Sequence, residues 1–302
     1  MNEASSVSTV CGFIAIIGRP NVGKSTLLNQ LIRQKISITS RKAQTTRHQI
    51  IGIDTQAHHQ LIYIDTPGLH QVGKRALNRY MNRTAIQVLR AVDVIVVVIE
   101  ALKWQAEDEW VIRQLTHVTC PVILAVNKID QVKDKATLLP FIDQISRQYA
   151  FSSIIPISAQ GNIQLDVLRQ TIIPELPSGP FLYAADQITD RSQTFLISEI
   201  IREQLFRLLG DELPYSVTVV IEQFEQQAQL TKISGLILVD KPNHKQMIIG
   251  HKGQKLKQVG QRAREQLETL LASKVYLQLW VKVKSGWSDN ATLLTELGYT
   301  NQ

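Results

Sequence analysis

The most informative segment of this chain is Gly18-Arg19-Pro20-Asn21-Val22-Gly23-Lys24-Ser25. It follows an apolar run at residues 13–17 and precedes a helical pattern at residues 24–31. Glycines allow such a loop to turn its backbone N–H groups towards phosphate oxygens, and the start of the following helix adds a partial positive charge. The order strand, glycine loop, helix therefore predicts a phosphate-binding loop, or P-loop.

Within this loop the residue types match the chemistry of a bound polyphosphate. The Lys24 amine can reach the terminal phosphates, and the Ser25 hydroxyl can bind Mg²⁺. We expect the remaining nucleotide contacts of this segment to come from Gly18, Asn21, Val22, Gly23 and Thr26. The alternative is a glycine turn that happens to precede a helix, and the complete set of fixed positions disfavours it.

A second motif selects the base that accompanies these phosphates. Asn127-Lys128-Ile129-Asp130 follows directly on the apolar run at residues 122–126. The Asp130 carboxylate can accept hydrogen bonds from two guanine donors at once, whereas adenine offers no such pair. Lys128 can cover the base with its aliphatic stem. The motif therefore favours GTP and argues against a P-loop kinase or ATPase.

Two further polar segments follow predicted strands, at the edge where open α/β sheets bind ligands. After the last strand, Ser158-Ala159 can offer a backbone N–H to guanine O6. In Asp65-Thr66-Pro67-Gly68 we expect Asp65 to hold Mg²⁺ through water and the Gly68 N–H to face the γ-phosphate. A simple turn at Pro67-Gly68 is the alternative, which the spacing from the P-loop disfavours.

The segment between the P-loop and Asp65 carries a candidate magnesium ligand. A threonine hydroxyl in the loop at residues 41–47 can complete the Mg²⁺ shell, and we favour Thr46 over Thr45. The basic residues of this loop are expected to form a solvated face and not to act as catalytic fingers. Ser25, Thr46 and Asp65 together are the predicted metal ligands.

Length and hydrophobic periodicity divide the chain of 302 residues into two domains. Six apolar runs alternate with helical patterns over the first half, which predicts an α/β domain with a mostly parallel sheet covered on both faces. We expect a disordered tail at residues 1–9, this domain at 10–173, a linker at 174–185 and a smaller α+β domain at 186–302. Alternating patterns at residues 216–222 and 275–283 predict half-buried strands of an antiparallel type in the second domain.

A glycine loop stands at the centre of that second domain. Gly250-His251-Lys252-Gly253 precedes a helical stripe at residues 255–271 and lies in a segment, residues 241–264, with seven basic residues and no acidic one. A GxxG loop between helices is the backbone clamp of KH domains, which grip about four single-stranded nucleotides. The alternative is a soluble appendage with a basic helix face. The expected RNA contacts are Ile249, Gly250, His251, Lys252, Gly253, Lys255 and Lys257.

Taken together, the runs GRPNVGKSTLLN, QTTRHQIIGI, DTPGLH, NKID and ISA resemble the Era/TrmE-like family of translation-factor-related GTPases. The resemblance implies a Ras-like P-loop GTPase domain followed by a KH type II domain. It implies a switch that binds the 3′ end of small-subunit ribosomal RNA and helps to assemble that subunit from the pre-30S particle. We expect a cytoplasmic monomer. One departure is Ala43, where the family pattern has proline.

The resemblance also bears on catalysis. Leu69 stands where Ras-type enzymes carry a water-orienting glutamine, so intrinsic turnover should be slow, and His70 is either a substitute or an exposed loop histidine. Relatives of this kind include members in which an asparagine at the position of Asn21 helps to hold K⁺ against the phosphates. The alternative is that Asn21 only caps the loop. The predicted catalytic set is Lys24, Thr46, Gly68 and Asn21.

Composition limits the remaining possibilities. Two cysteines without a CxxC pattern argue against a disulfide scaffold or a zinc site and favour a reducing cytosol. The net charge of +7 suggests an anionic partner. The competing function is a membrane-associated or cell-division regulatory GTPase, with weak peripheral attachment to the inner face of the cell membrane. No lipidation motif or basic amphipathic helix with bulky aromatic residues supports it.

Overall fold

The computed structural model describes residues 9–40, 45–69, 76–209, 217–297 and 299. Expectations about the tail before residue 9, Ala43 and His70 lie outside the described residues. The chain forms two compact units, and each is described by itself. The first unit comprises Met1–Ser37, Thr46–Val72 and Met81–Asp190, and the second comprises Ile38–Thr45, Gly73–Tyr80 and Arg191–Gln302.

A six-stranded sheet forms the centre of the first unit, in the order β2-β3-β1-β4-β5-β6. Only the β2–β3 pair is antiparallel, so the predicted mostly parallel sheet is confirmed. The strands are β1 (Val10–Ile17), β2 (Ile50–Gln56), β3 (His59–Asp65), β4 (Val94–Glu100), β5 (Val122–Asn127) and β6 (Ser153–Pro156).

Helices connect the parallel strands of this sheet. They are α1 (Lys24–Ile32), α2 (Ala76–Val88), α3 (Ala106–Arg113), α4 (Leu138–Ser146) and α5 (Leu165–Ile172). Every residue of β4 and of β5 is buried, which is why these strands have continuous apolar runs instead of alternating patterns. The parallel arrangement brings the polar residues that follow β1, β3, β5 and β6 to one edge of the sheet.

The second unit contains a three-stranded sheet in the order β7-β8-β9 and four helices in the described part of its C-terminal segment. Along the chain these elements follow the order helix, strand, strand, helix, GxxG loop, helix and strand, with a short helix after them. They are α6 (Gln193–Leu208), β7 (Val217–Gln226), β8 (Leu230–Val239), α7 (Pro242–Ile249), α8 (Gln254–Leu271), β9 (Lys274–Val283) and α9 (Ala291–Glu296).

The direction of one strand in this unit differs from the expectation. β7 and β8 are antiparallel, but β9 runs parallel to β8, with Leu230 opposite Lys274 and Val239 opposite Val283. The prediction of antiparallel pairing is therefore wrong for β9. Alternation of apolar and polar residues reports only that one face is buried, and the long helix α8 between β8 and β9 allows the chain to return in the same direction.

Burial also corrects the expectation of a solvated basic face in the loop at residues 41–47. The side chain of Arg47 is fully buried, and residues 41–44 lie outside the described residues. The charge of an arginine predicts exposure only on average, because a long guanidinium side chain can be buried once it is paired.

Candidate nucleotide site and nucleic-acid interface

The P-loop joins β1 to α1, and its two glycines occupy backbone positions that exclude a side chain. Gly18 has φ 150° and Gly23 has φ 105°. A Cβ on Gly18 would lie 2.3 Å from the Val98 carbonyl oxygen, and one on Gly23 would lie 2.4 Å from Asn127 Nδ2. The loop therefore depends on glycine for both its backbone angles and its packing.

The P-loop lysine is buried within the loop. The Lys24 amine donates to the carbonyl oxygens of Gly18, at 3.0 Å, and Arg19, at 2.9 Å. Burial lowers the pKa of Lys24 from 10.5 to about 8, although the nearby Asp65 carboxylate opposes the shift. A buried amine with this pKa is able to bind phosphate, and its charge changes with pH in a range close to neutrality.

Four oxygen-bearing side chains meet beside the P-loop. The Asp65 Oδ2 atom accepts from Ser25 Oγ at 2.7 Å, from Ser37 Oγ at 3.0 Å and from Thr46 Oγ1 at 3.4 Å. Ser25 Oγ and Thr46 Oγ1 are themselves 2.7 Å apart. Of the two threonines considered, Thr46 reaches this cluster with its hydroxyl, whereas the carbonyl of Thr45 accepts from Arg202.

This cluster has the donor set that Mg²⁺ prefers. The second Asp65 oxygen, Oδ1, is buried and has no hydrogen-bond partner among the described residues. Burial raises the pKa of Asp65, and the three hydroxyl donors only partly oppose that shift. A hard cation held by one carboxylate, two hydroxyls, water and phosphate would satisfy this oxygen. Ser25, Thr46 and Asp65 therefore fit a magnesium ion.

The segment after β3 lies against the P-loop. A Cβ on Gly68 would be 3.0 Å from the Pro20 backbone nitrogen, and the Leu69 N–H donates to the Gly18 carbonyl at 3.3 Å. The Leu69 side chain is fully buried in the core of the first unit. It therefore contributes packing and offers no polar group to a water molecule.

The base-recognition motif is held together by its first residue. Asn127 Nδ2 donates to the Val22 carbonyl at 2.8 Å, which connects this motif to the P-loop. Asn127 Oδ1 accepts from the N–H groups of Lys128, at 2.8 Å, and Ala159, at 2.9 Å. The Ala159 N–H, which we expected to face guanine O6, is thus engaged by Asn127 in this structure.

The remaining two residues of the predicted base site form a pair. Ser158 Oγ donates to Asp130 Oδ1 at 2.5 Å and accepts from the Gly161 N–H at 2.9 Å. This pair fixes the Asp130 carboxylate, which is exposed. The geometry therefore brings to one sheet edge the residues that the motifs predict for the nucleotide, including Thr26 in the first turn of α1.

Three charged residues beside this site were missed by the sequence analysis. Glu100 ends β4, Asp108 lies in the first turn of α3, and Arg19 is the second residue of the P-loop motif. All three are buried. No motif identifies Glu100 or Asp108, since a carboxylate at a strand or helix end usually faces solvent, and only their contacts distinguish them.

In the second unit, the GxxG loop has backbone angles that favour glycine. Gly250 has φ 70°, Lys252 has φ 47° and Gly253 has φ 79°. A Cβ on Gly250 would lie 2.9 Å from the Lys255 Cβ atom, whereas one on Gly253 would meet no atom within 4 Å. The side chains of His251 and Lys252 are exposed. The loop therefore presents open backbone flanked by exposed side chains.

Beside this loop lies a groove of about 440 Å³. Its apolar side is formed by Leu256, Leu277 and Leu279, and its basic side by Lys257 and Arg264. An apolar floor can contact base faces while cations contact phosphates. Of the expected contacts, Gly253 and Lys257 line this groove. Arg264 was predicted only as a member of the basic segment, and its convergence with the three leucines depends on how α8 packs on β9.

Comparison with known proteins agrees with both sites. A family model described as 50S ribosome-binding GTPase matches residues 13–128, and one described as KH domain matches residues 212–288. GTPase Era of Pseudomonas aeruginosa is 49% identical over 299 residues, which are 99% of this chain and 98% of that protein. GTPase Era of Pasteurella multocida is 52% identical over 306 residues, with 100% of each chain covered.

The chain belongs to the Era family of GTPases.

Solved structures of Era share the whole architecture. Aquifex aeolicus Era bound to GDP·AlF₄⁻ is 40% identical, with a TM-score of 0.93, and the alignment covers 97% of this chain and 100% of that one. Era in complex with MgGDPNP and nucleotides 1506–1542 of 16S ribosomal RNA is also 40% identical, with the same coverage and a TM-score of 0.94.

Era-family membership confirms the central predictions of the sequence analysis. A Ras-like P-loop GTPase domain is followed by a smaller KH domain, and the chain is a GTPase and not a P-loop kinase or ATPase. Among the described residues, none of the helices combines the length and apolarity that crossing a membrane requires. Both cysteines, Cys11 and Cys120, are free thiols.

Proposed function

We propose that this Era-family GTPase binds the 3′ end of small-subunit ribosomal RNA through its KH unit and assists assembly of the pre-30S particle. The observation that carries the proposal is the glycine loop at residues 250–253, whose open backbone lies beside a groove with an apolar floor and basic rim. A 40% identical relative holds 16S ribosomal RNA, which supports the small subunit even though one matching family model has a 50S description.

On the nucleotide side, we assign GTP and GDP to the edge of the sheet in the first unit. Asp130 accepts from the guanine donors, and Lys128 covers the base. The P-loop N–H groups and Lys24 bind the phosphates. Ser25, Thr46 and Asp65 hold Mg²⁺, which supplies charge neutralisation at the phosphates when it is bound. The MgGDPNP complex of a relative supports this arrangement.

Hydrolysis in this site proceeds without a glutamine beside Gly68. Lys24 stabilises charge on the terminal phosphates, and the Gly68 N–H and Thr46 position the γ-phosphate. Asn21 is the candidate for holding K⁺ at the phosphates. Its backbone has φ 66°, and its side chain is exposed and makes no hydrogen bond within the described part of the chain, so its carboxamide oxygen is available as a ligand. We further propose a cytoplasmic monomer.

The KH assignment is tested by replacing His251 and Lys252 with aspartate. This variant adds like charge at the loop and should weaken binding of a single-stranded RNA with the 16S 3′ sequence at least tenfold. GTP hydrolysis without RNA should be unchanged, since the variant alters only the second unit. Filter binding at a fixed salt concentration and a phosphate-release assay measure the two quantities.

A matched control is the double variant Lys232→Asp with Gln278→Asp. It makes the same change in charge at two exposed positions on β8 and β9 of the same unit, away from the loop. Its RNA affinity should stay within about twofold of the wild type, because it removes no contact in the groove. Equal RNA affinity for wild type and the His251/Lys252 variant would refute the KH assignment.

A further inference from the structure

A buried carboxylate at the end of β4 connects the two loops that we assign to the nucleotide. Glu100 Oε2 lies 2.8 Å from the Lys128 amine and 3.7 Å from Arg19 Nη2. Its other oxygen pairs with Lys103. The Glu100 side chain is only 10% exposed, so three cations surround one carboxylate that is largely removed from water.

The second of these cations is held from its other side as well. Arg19 Nε donates to Asp108 Oδ2 at 3.0 Å, and the same oxygen accepts from the Gln105 N–H at 3.0 Å where α3 begins. The backbone carbonyl of Arg19 accepts from Lys24. A continuous series of charges, Lys128–Glu100–Arg19–Asp108, therefore runs from the base motif through the P-loop to the start of α3.

Glu100 restrains a side chain that would otherwise be mobile. Lysine has a long side chain with many rotamers, and ordering it has a substantial entropic cost. Lys128 also has a left-handed backbone, with φ 67°, which fixes the direction in which its side chain leaves the loop. Burial raises the pKa of Glu100, but the hydrogen bonds from Lys103 and Lys128 outweigh it and keep the carboxylate ionised.

We propose that Glu100 is a positioning residue for guanine: it holds the amine of Lys128 so that the stem is ordered before the base arrives, and it links that lysine to the P-loop through Arg19. This inference rests on the assignment of Lys128 to the base. The base is common to GTP and GDP. Loss of Glu100 should therefore weaken both nucleotides by the same factor and leave hydrolysis at saturation unchanged.

The test is Glu100→Gln, which keeps the shape and removes the charge. We expect the dissociation constants of GDP and of a non-hydrolysable GTP analogue to rise about tenfold each, the size typical of a lost charge-assisted hydrogen bond. The KM for GTP should rise while kcat stays constant. Lys103→Ala is the matched control, since Lys103 contacts the same carboxylate but is 58% exposed and lies outside both loops.

A double-mutant cycle with Lys128→Met separates positioning from general stability. If Glu100 acts through Lys128, the double variant should bind GDP no more weakly than Lys128→Met alone. Nucleotide affinity unchanged in Glu100→Gln, or an equal effect of Lys103→Ala, overturns the inference, as does full additivity in the cycle. Lys128→Ala removes the aliphatic stem as well, and no effect of that variant on nucleotide affinity would instead contradict the assignment of Lys128 to the base.

Discussion

At the scale of single residues, the nucleotide site is dominated by groups that burial has shifted away from their ordinary ionisation. Burial lowers the pKa of Lys24 and raises that of Asp65, so each charge is less stable here than in water. Both residues stand where ligands of opposite charge are expected, phosphate for the lysine and Mg²⁺ for the carboxylate. Binding should therefore restore the charge that folding disfavours, which makes it dependent on pH.

The lowered pKa of Lys24 predicts how the affinity for GDP changes with pH. Below pH 8 its amine is protonated, and a bound phosphate favours that form, so GDP binding should raise its pKa and take up protons near pH 8. Affinity for GDP should fall as pH rises from 7 to 8.5. Calorimetry in two buffers of different ionisation enthalpy measures the uptake, which should vanish at pH 6.5. An uptake of zero at pH 8 would contradict the low pKa.

The same residue affects the stability of the protein without nucleotide. Between pH 8 and pH 10.5 the unfolded chain binds more protons at Lys24 than the folded chain does. The contribution of Lys24 to the free energy of unfolding should therefore rise with pH in that window. The reason is that the folded protein no longer has to bury a protonated amine.

Asn21 carries the prediction about potassium. Exchanging Na⁺ for K⁺ at fixed ionic strength should raise the rate of GTP hydrolysis severalfold, because an ion beside the phosphates would stabilise the charge that develops there. Asn21→Ala should abolish the difference and leave GTP bound. Asn162→Ala is the control, since Asn162 is another exposed asparagine with a left-handed backbone, φ 53°. Equal rates in the two salts would exclude the ion.

At the scale of elements, the two short loops that we assign to phosphate contact both depend on glycine. In the P-loop the glycines are also enclosed, since a Cβ on either one would collide with a neighbouring strand or side chain. In the GxxG loop, Gly253 differs because its Cβ position is open. Backbone angle alone therefore requires glycine at Gly253.

This difference predicts the effect of Gly253→Ala. With φ 79° and no atom within 4 Å of the new methyl group, the substitution should cost about 1–2 kcal/mol of stability from backbone strain alone. RNA affinity should fall severalfold as the loop relaxes. Gly179→Ala is the control, because its Cβ would also meet no atom and its φ is not in the left-handed range. Thermal unfolding and RNA titration measure both, and equal unfolding temperatures for the two variants would disprove the strain.

At the scale of the whole molecule, the chain combines a GTPase unit, whose central strands are buried on both faces, and a KH unit, whose strand β9 is buried on one face. Strands buried on both faces in the first unit gave continuous apolar runs, and their order along the chain predicted the parallel sheet. Half-buried strands in the second unit gave alternation, which could not report that β9 is parallel to β8. Hydrophobic periodicity reports which faces of a strand are buried. The direction of the strand depends instead on the segment that connects it to its neighbour.

Sequence alone was sufficient to predict phosphate, base and magnesium ligands, because residue type and short spacing specify such groups. Each of these motifs is a short continuous segment: the P-loop, residues 127–130 and the GxxG loop. The predicted strands and helices next to each motif indicate where it lies in the fold. Only packing produces the burial of Arg47, the groove that includes Arg264, and the contact of Glu100 with Lys128 and Arg19. Such contacts join residues far apart in the chain. A charged side chain needs a specific partner only when packing removes it from water, and the sequence does not show which charges are buried.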